Sequence, residues 1–282
     1  MTESNQTPQV KPAPLRIDFV SDVSCPWCAV GLLSLEHALK RLEGEVSADI
    51  HFQPFELNPQ MAEEGEDIAE HIRAKYGATQ EQLAESQDHL RERGAALGFD
   101  FRMDRRRRIY NTFDAHRLLH WAGFEQRQQA LKHILLRAYF TDGENVGDHD
   151  TLVRLAVEAG LSAERARGIL GSDEYKAEVC AQEAFFIDKG INAVPAVIIN
   201  ERHLISGGQP VEVFERALRD LAARARSPSG AGCRSARHRG VESAQPTTPR
   251  ADRGEAVRVP RPTRLPATSR PVKPSDTQSH LV

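Results

Sequence analysis

The sequence predicts a mixed α/β fold in which a small sheet is interrupted by a large α-helical insertion. Apolar residues alternate with polar ones from Leu15 and again from Val46, which is the pattern of two half-buried strands. Short apolar segments at 196–199 and 203–205 predict two more strands much later in the chain. Between these groups, residues from about 58 to 190 carry helical periodicity. One α/β core with an inserted helical subdomain is therefore expected.

The N-terminal part of the core is predicted to be a strand, a helix and a second strand. In the first strand, Leu15, Ile17 and Phe19 alternate with Arg16 and Asp18. The apolar positions of the second strand are Val46, Ala48, Ile50 and Phe52, and those at helical spacing between the strands are Cys28, Leu32, Leu35, Leu39 and Leu42. Such a strand, helix and strand pair their strands in parallel through a right-handed connection.

The insertion and the C-terminal part of the core carry further helix signals. Thr79 and Gln82 have the spacing of a capping box, in which side chains and backbone satisfy each other at a helix start. Predicted helices lie near Ile68, Leu90, Leu118, Leu135, Leu155 and Val179, and a last helix has the apolar face Val211, Phe214, Leu218 and Leu221. The helical subdomain is expected beside the first helix, where it would shape a substrate cleft.

The segment Cys25-Pro26-Trp27-Cys28 stands at the start of the first predicted helix. Cysteines three apart on one helical turn share a face and are close enough to form a disulfide. Pro26 suits the first helical position, which makes Cys25 the N-cap residue. Unpaired backbone amides and the helix dipole are expected to lower the pKa of the Cys25 thiol and make it the attacking sulfur. Cys28, one turn inside, is expected to be shielded and to resolve.

Three nearby side chains are candidates for supporting roles. Trp27 offers a broad apolar face for an unfolded peptide or an aromatic substrate, although ordinary packing explains it equally well. Asp18 and Asp22 precede the motif, and a carboxylate behind the resolving thiol would accept its proton during exchange. Strand alternation leaves open whether Asp18 or its apolar neighbours face the first helix.

Three other groups are interpreted as structural. Cys180 is expected to be a buried small apolar residue, and neither it nor Cys233 has a partner at zinc-ligand spacing, so no metal site is predicted. The run from Arg105 to Arg108 is expected to be a solvated charge cluster that enters a helix. The acidic segment from Asp142 to Asp150 lacks the ligand pattern of a calcium loop and is predicted to end in a helix cap.

Composition limits the folded domain and its partners. The chain has 282 residues and a net charge of −3, with no run of roughly 20 apolar residues and no apolar signal core, so a cytoplasmic protein without a membrane segment is expected. Residues 227–282 contain eight of the sixteen prolines, no Phe, Tyr, Trp or Ile, and a net charge of +6. We expect a folded domain at 15–226 between a disordered segment, 1–14, and a disordered basic tail, with no nucleic-acid partner.

The order of elements resembles the DsbA-like branch of the thioredoxin superfamily, with Val194-Pro195 before the third core strand. Within that branch, the segments Asp18 to Asp22, Asn111-Thr112 with Ala115-His116-Arg117, and Ser206 to Pro210 are similar to those of FrnE-type dithiol–disulfide oxidoreductases and isomerases. The resemblance implies that Cys25 is the nucleophile, that Cys28 resolves, and that Pro195 is cis. A cis proline would expose the backbone of Val194 to pair with an extended peptide.

The resemblance implies a thiol–disulfide oxidoreductase or isomerase that acts on protein or small-molecule thiols and disulfides. No cofactor is expected beyond glutathione as a co-substrate, and the protein is expected to be a monomer or homodimer. Kappa-class glutathione transferases and 2-hydroxychromene-2-carboxylate isomerases share the branch but carry serine where this chain has Cys25, which favours thiol exchange here. A glutathione-dependent transferase or small-molecule isomerase, and a non-enzymatic peptide-binding module, stay open as alternatives.

Overall fold

The computed structural model describes residues 14–226. The expected disorder of 1–14 and 227–282 therefore falls, apart from Pro14, outside the described residues, as does Cys233. The strands are β1 (Leu15–Ser21), β2 (Ala48–Pro54), β3 (Glu66–Asp67), β4 (Arg108–Ile109), β5 (Ala196–Ile199) and β6 (His203–Ser206). The helices are α1 (Pro26–Arg41), α2 (Ile68–Tyr76), α3 (Gln80–Ala96), α4 (Phe113–Phe124), α5 (Gln128–Arg137), α6 (His149–Glu158), α7 (Ala163–Leu170), α8 (Lys176–Asp188) and α9 (Val211–Arg226).

The main sheet has the strand order β2-β1-β5-β6. Strands β1 and β2 are parallel, with Leu15 opposite Ala48 and Phe19 opposite Phe52. Strand β5 runs antiparallel to β1, and β6 runs antiparallel to β5. The predicted parallel unit and the predicted return of the chain to the sheet after the insertion are both confirmed.

The pleat of β1 directs alternate side chains to two different buried clusters. Ile17 and Phe19 belong to the main core, together with apolar residues of α1 and α9. Val20, one position further, belongs to a smaller cluster that contains Cys25 and Cys28. Successive strand residues point to opposite faces. The apolar pair therefore faces α1, and the end of β1 leads directly into the neighbourhood of the two thiols.

The insertion is mostly helical, and the capping box of Thr79 and Gln82 at the start of α3 is confirmed. The acidic segment also ends in a cap, since Asp148 accepts a hydrogen bond from the Thr151 N–H at 2.8 Å at the start of α6. The prediction of helix throughout is wrong at two places: strands β3 and β4 form a short antiparallel ladder, and Ala138–Asp142 form a π-helical turn.

The β3–β4 ladder depends on a close backbone approach that the sequence pattern does not reveal. Gly65 has φ 65°, and a Cβ atom there would lie 2.2 Å from the Ile109 carbonyl oxygen. Only glycine adopts this conformation readily and leaves room for the neighbouring strand. Helical periodicity on both sides of the ladder conceals a contact between residues that are far apart in sequence. Within residues 14–226, no helix is long and apolar enough to cross a membrane.

Candidate active site

Cys25 is the N-cap residue of α1, and Pro26 occupies the first helical position. The backbone of Cys25 is extended, with φ −89° and ψ 113°, as an N-cap requires. Its Sγ is fully buried and lies 3.7 Å from the carbonyl oxygen of Val194. The sulfur is thus held between the N-terminal end of a helix and the loop that precedes β5.

Cys28 lies one turn further along α1 and is also fully buried. Both cysteines are free thiols in this structure. Burial raises the pKa of the Cys28 thiol well above its ordinary value, and the hydrogen bond with Cys25 raises it further, whereas the positive charge of Lys132 opposes the shift. The shielding expected of Cys28 is therefore present. Cys25 is equally buried, which the sequence did not predict. The loop before β5 covers it.

The Val194–Pro195 peptide bond is cis, as the family resemblance implies. Val194 directs its carbonyl toward Cys25, and its backbone N–H has no hydrogen-bond partner among residues 14–226. Pro195 lies directly on α1, because a Cβ atom added to Gly31 would be 3.0 Å from the Pro195 Cγ. The missing side chain of Gly31 is what allows this loop to approach the motif.

Trp27 is half-buried between the insertion and the loop after β6. Its ring meets the ring of His89 edge-on, with centroids 5.4 Å apart, and the Arg93 guanidinium lies 5.9 Å from its ring centroid. Arg93 also donates a hydrogen bond to the Gly208 carbonyl at 2.9 Å. A Cβ atom on Gly208 would lie 3.0 Å from the Trp27 carbonyl oxygen. The structure thus explains Gly208 in the segment from Ser206 to Pro210. It also adds His89 and Arg93 to the surroundings of the motif, which sequence reasoning missed.

Asp22 lies in the turn before Cys25, and its carboxylate is almost completely buried. It accepts hydrogen bonds from the backbone N–H of Ser24 at 3.0 Å and of Leu57 at 2.8 Å, and His116 Nε2 lies 3.8 Å from it. Burial alone would raise the pKa of Asp22, but the His116 interaction and the two N–H donors outweigh burial and bring the pKa to about 2. The carboxylate is therefore ionised at neutral pH.

Asp18 occupies a different environment from Asp22. Its oxygens accept hydrogen bonds from the Arg16 guanidinium at 2.7 and 3.0 Å and from the Gln53 amide at 2.7 Å. Asp18 points to the face of β1 opposite Ile17 and Phe19, and therefore away from α1. Of the two predicted carboxylates, Asp22 lies beside the motif, whereas Asp18 is hydrogen-bonded to its neighbours on the sheet.

Two predictions of burial are wrong. Cys180 is exposed, because the neighbouring Val179 takes the buried position on α8. In the basic run, Arg105, Arg107 and Arg108 are exposed as predicted, but the run leads into strand β4 and not into a helix. Arg106 is the residue that is not solvated: it is 6% exposed, and its guanidinium lies 4.9 Å from the ring centroids of Tyr139 and Phe140. It also donates to the carbonyl of Ser24 at 3.2 Å. A member of the basic run thus supports the residue before the nucleophile.

Other ionisable groups near the thiols also escaped sequence reasoning. Lys132 on α5 is fully buried. In the sequence, only its position between Leu131 and Leu135 on an apolar helix face could have indicated this burial. Glu56 follows β2. Its pKa is raised to about 8, mainly by burial and secondly by the negative charge of Glu183. Among residues 14–226, no group of three or more histidine, cysteine or acidic residues is placed to hold a metal ion.

The sequence model of the DSBA-like thioredoxin domain matches residues 16–219. The chain therefore belongs to the DsbA-like thioredoxin family, a family of thiol–disulfide oxidoreductases. SCO1869 of Streptomyces coelicolor, a probable DsbA oxidoreductase, is 37% identical, and its crystal structure superimposes with a TM-score of 0.71 over 76% of this chain and 92% of that chain.

Two other proteins are similar at greater distance. YwbO of Bacillus subtilis (strain 168), which is described as uncharacterized, is 27% identical over 208 residues, or 73% of this chain and 96% of its own length. The cytosolic disulfide reductase DsbM from Pseudomonas aeruginosa, solved with GSH, is 15% identical, with a TM-score of 0.53 over 74% of this chain and 99% of that chain. At this identity the likeness to DsbM concerns the fold.

Proposed function

We propose that this protein is a FrnE-type thiol–disulfide oxidoreductase and isomerase in which Cys25 attacks and Cys28 resolves. The observation that carries the proposal is the position of the Cys25 sulfur, at the N-cap of α1 and 3.7 Å from the Val194 carbonyl beside a cis proline. A second thiol one helical turn away supplies the partner that a disulfide requires. The serine of the transferase relatives would lack this redox chemistry.

In the reductive direction, the Cys25 thiolate attacks one sulfur of a substrate disulfide. The substrate S–S bond breaks, one substrate thiolate leaves, and a mixed disulfide joins Cys25 to the other sulfur. The Cys28 thiolate then attacks Cys25, releases the second substrate thiol and closes the Cys25–Cys28 disulfide. The substrate gains two electrons that the enzyme loses. In isomerisation, a different substrate thiol attacks the mixed disulfide and regenerates the Cys25 thiolate.

Substrates are proposed to be extended thiol- or disulfide-containing peptides and small disulfides. The free N–H of Val194 is available to pair with a peptide strand, and Pro195 removes one N–H beside the sulfur. Trp27 is only partly buried and offers the accessible part of its side chain to an apolar group. Glutathione is proposed as the co-substrate that restores the dithiol, and a cytoplasmic role as reductase or isomerase fits this direction. The structure of DsbM, a cytosolic disulfide reductase solved with GSH, supports the glutathione co-substrate and the cytoplasmic role by likeness of fold.

Catalysed insulin reduction and recovery of scrambled ribonuclease test the proposal in the wild type, Cys25→Ser, Cys28→Ser and the double variant. We expect Cys25→Ser to abolish both activities, and Cys28→Ser to accumulate a mixed disulfide that intact mass identifies. Cys180→Ser is the matched control, because it removes an exposed thiol. Activity that survives in the double variant would favour a binding module, and glutathione conjugation without disulfide turnover would favour a transferase.

A further inference from the structure

The sulfur proposed to attack is enclosed in this structure. Cys25 is 0% exposed, and it belongs to an apolar cluster that also contains Cys28 and Val194. Thiol–disulfide exchange requires the thiolate to contact a sulfur atom of the substrate disulfide directly. A substrate therefore reaches Cys25 only after some part of this enclosure has moved.

Two parts of the enclosure are held firmly by the rest of the fold. Helix α1, which bears both cysteines, packs into the main core along most of its length. The loop before β5 is fixed at Pro195, whose ring rests on Gly31 and whose carbonyl accepts a hydrogen bond from the Gly207 N–H at 2.8 Å. Movement of either part would disturb the sheet or the helix that carries the nucleophile.

The segment that follows β2 is held in a different way. Leu57 packs against the apolar cluster around the thiols, and its backbone N–H donates to the Asp22 carboxylate at 2.8 Å. Its carbonyl accepts a hydrogen bond from the Lys75 ammonium at 2.8 Å. The same ammonium donates to the side-chain oxygen of Asn58 at 2.7 Å. Two consecutive residues thus connect the turn before the nucleophile to a lysine on α2.

Helix α2 is itself lightly attached to the fold. Of its nine described residues, only Ile72 is buried. A further contact with the segment after β2 comes from His71, whose Nε2 lies 3.0 Å from the Asn58 Oδ1. Glycines with positive φ flank the helix, Gly65 at 65° before β3 and Gly77 at 66° at its C-cap. An element with little buried apolar area and exposed hydrogen bonds opens at a lower cost than the whole domain unfolds.

We propose that Leu57 and Asn58 form a movable cover over Cys25, and that the hydrogen bonds from Lys75 hold this cover closed. The inference rests on the proposed function, which makes Cys25 the attacking sulfur, and it assigns Lys75 as a positioning residue for that attack. When Lys75 releases the two oxygens, Leu57 leaves the apolar cluster and the sulfur becomes accessible. The cover thereby separates a closed thiol from an open one that accepts a substrate disulfide.

The direction of the effect distinguishes a residue that holds the cover from a simple positive charge. If Lys75 served to stabilise the thiolate, its removal would disfavour the thiolate and slow the reactions of Cys25 at neutral pH. If Lys75 holds the cover closed, its removal makes the open state more frequent, and Cys25 reacts faster. The two roles therefore predict changes of opposite sign.

Alkylation of the reduced protein by iodoacetamide tests the proposal, in a Cys180→Ser, Cys233→Ser background. Peptide fragmentation in the mass spectrometer quantifies Cys25 separately from Cys28. For Lys75→Met, we expect alkylation of Cys25 at pH 7 to quicken at least about fivefold, because two hydrogen bonds that favour the closed state are lost. The first release of thionitrobenzoate from 5,5′-dithiobis(2-nitrobenzoate) should quicken in the same proportion, since it needs the same opening. An unchanged or lower rate in Lys75→Met would overturn the proposal.

Arg73→Met is the matched control, because Arg73 is exposed on the same helix and its side chain makes no hydrogen bond or ion pair within residues 14–226. It removes the same charge and should change the alkylation rate by less than about twofold. Equal acceleration in both variants would contradict the assignment. Asn58→Ala removes the acceptor that Lys75 and His71 share, and it should accelerate alkylation as Lys75→Met does. Lys75→Arg keeps a donor for the two oxygens, so an arginine variant as fast as the methionine variant would also overturn the proposal.

Urea distinguishes opening of the cover from unfolding of the whole domain. Local opening exposes little surface, so alkylation of Cys25 in the wild type should change by less than about twofold between 0 and 1 M urea. A rise of roughly tenfold or more, which global unfolding produces over this interval, would show that the sulfur is reached only in unfolded protein. The proposed function fails separately: insulin reduction that survives in Cys25→Ser would remove the catalytic role of this sulfur, while the alkylation rates would still report the cover.

Discussion

At the scale of single residues, hydrogen bonding decides how readily a buried side chain near the thiols carries a charge. Asp22 and Lys132 are both buried near Cys28, but their hydrogen bonding differs. The carboxylate of Asp22 accepts two backbone N–H groups and faces His116, so it keeps its charge at low cost. The amine of Lys132 has no such partner, and burial lowers its pKa. A hydrogen-bonded carboxylate and an unpaired buried amine are therefore both electrostatic neighbours of the same thiol.

The ionisation of Asp22 predicts a pH-dependent contribution to stability. With a pKa of about 2 in the folded protein against an ordinary 3.8, the carboxylate stabilises the fold above about pH 4, and this contribution is lost as the pH falls through about 2. Asp22→Asn should lower the free energy of unfolding by about 2 kcal/mol at pH 7, since an amide accepts only through one oxygen. Urea unfolding between pH 7 and pH 2 measures the difference, which should shrink in acid.

The exposed Asp220 on α9 provides the matched control for this measurement. Asp220→Asn should change the free energy of unfolding by less than about 0.5 kcal/mol at every pH. A loss in Asp22→Asn that stays constant from pH 7 to pH 2 would show that packing, and not ionisation, sets the contribution of this residue.

At the scale of elements, the site depends on how closely α1 approaches the loop before β5. Gly31 lies in the middle of α1, where glycine ordinarily weakens a helix. The Pro195 ring explains its presence, because it occupies the space that a side chain at position 31 would need. Gly208 makes the same accommodation for Trp27. The geometry at Cys25 thus depends on contacts between elements that are remote in sequence.

Gly31→Ala is expected to impair catalysis more than folding. The added Cβ gains about 1 kcal/mol of helix propensity but must displace Pro195, at a cost of about 1–3 kcal/mol. A shift of the Val194 backbone relative to the Cys25 sulfur should lower insulin reduction by about tenfold or more. The control is Gly168→Ala on α7, which has nothing within 4 Å and should raise stability by about 0.5–1 kcal/mol with unchanged activity. Equal activity of the two variants would contradict the role assigned to this contact.

At the scale of the whole described molecule, one arginine joins the helices of the insertion. Arg117 on α4 is 1% exposed, and it donates to the backbone carbonyls of Glu174 at 2.9 Å and Ser172 at 2.6 Å and to that of Ile169. It also pairs with Asp114 at 2.6 Å. These contacts hold the segment between α7 and α8 against α4, the helix that also supplies His116 to the active-site neighbourhood.

Arg117→Lys should destabilise the protein although it preserves the charge. A lysine ammonium is a single point donor and does not reproduce the planar fork of arginine, so buried carbonyls would lose their partners. We expect a loss of about 3 kcal/mol in the free energy of unfolding, measured by urea denaturation at pH 7. Arg165→Lys, at an exposed pair with Glu174, should leave the free energy of unfolding nearly unchanged, because solvent screens that pair. Similar losses in both variants would show that the buried contacts contribute little.

Local signals in the sequence predicted the elements that carry the motif. The alternation in β1, the proline after Cys25 and the capping box of α3 are properties of neighbouring residues, and the structure contains each of them. Burial was harder to predict. Arg106 was expected in solvent and Cys180 in the interior, and both expectations were reversed. Whether a side chain is buried depends on which distant element covers it, and periodicity within one helix does not contain that information.

The sequence by itself determined the order of strands and helices, the family resemblance and the pair of thiols at a helix start. It did so because strand pleat, helical repeat and capping act over a few consecutive residues. Only the tertiary structure decided that Asp22 rather than Asp18 lies beside the motif, that Pro195 rests on Gly31, and that a lysine from the insertion is buried near Cys28. These placements arise from the packing of elements separated by up to about 160 residues, where shape and desolvation act across space and leave no local pattern in the chain.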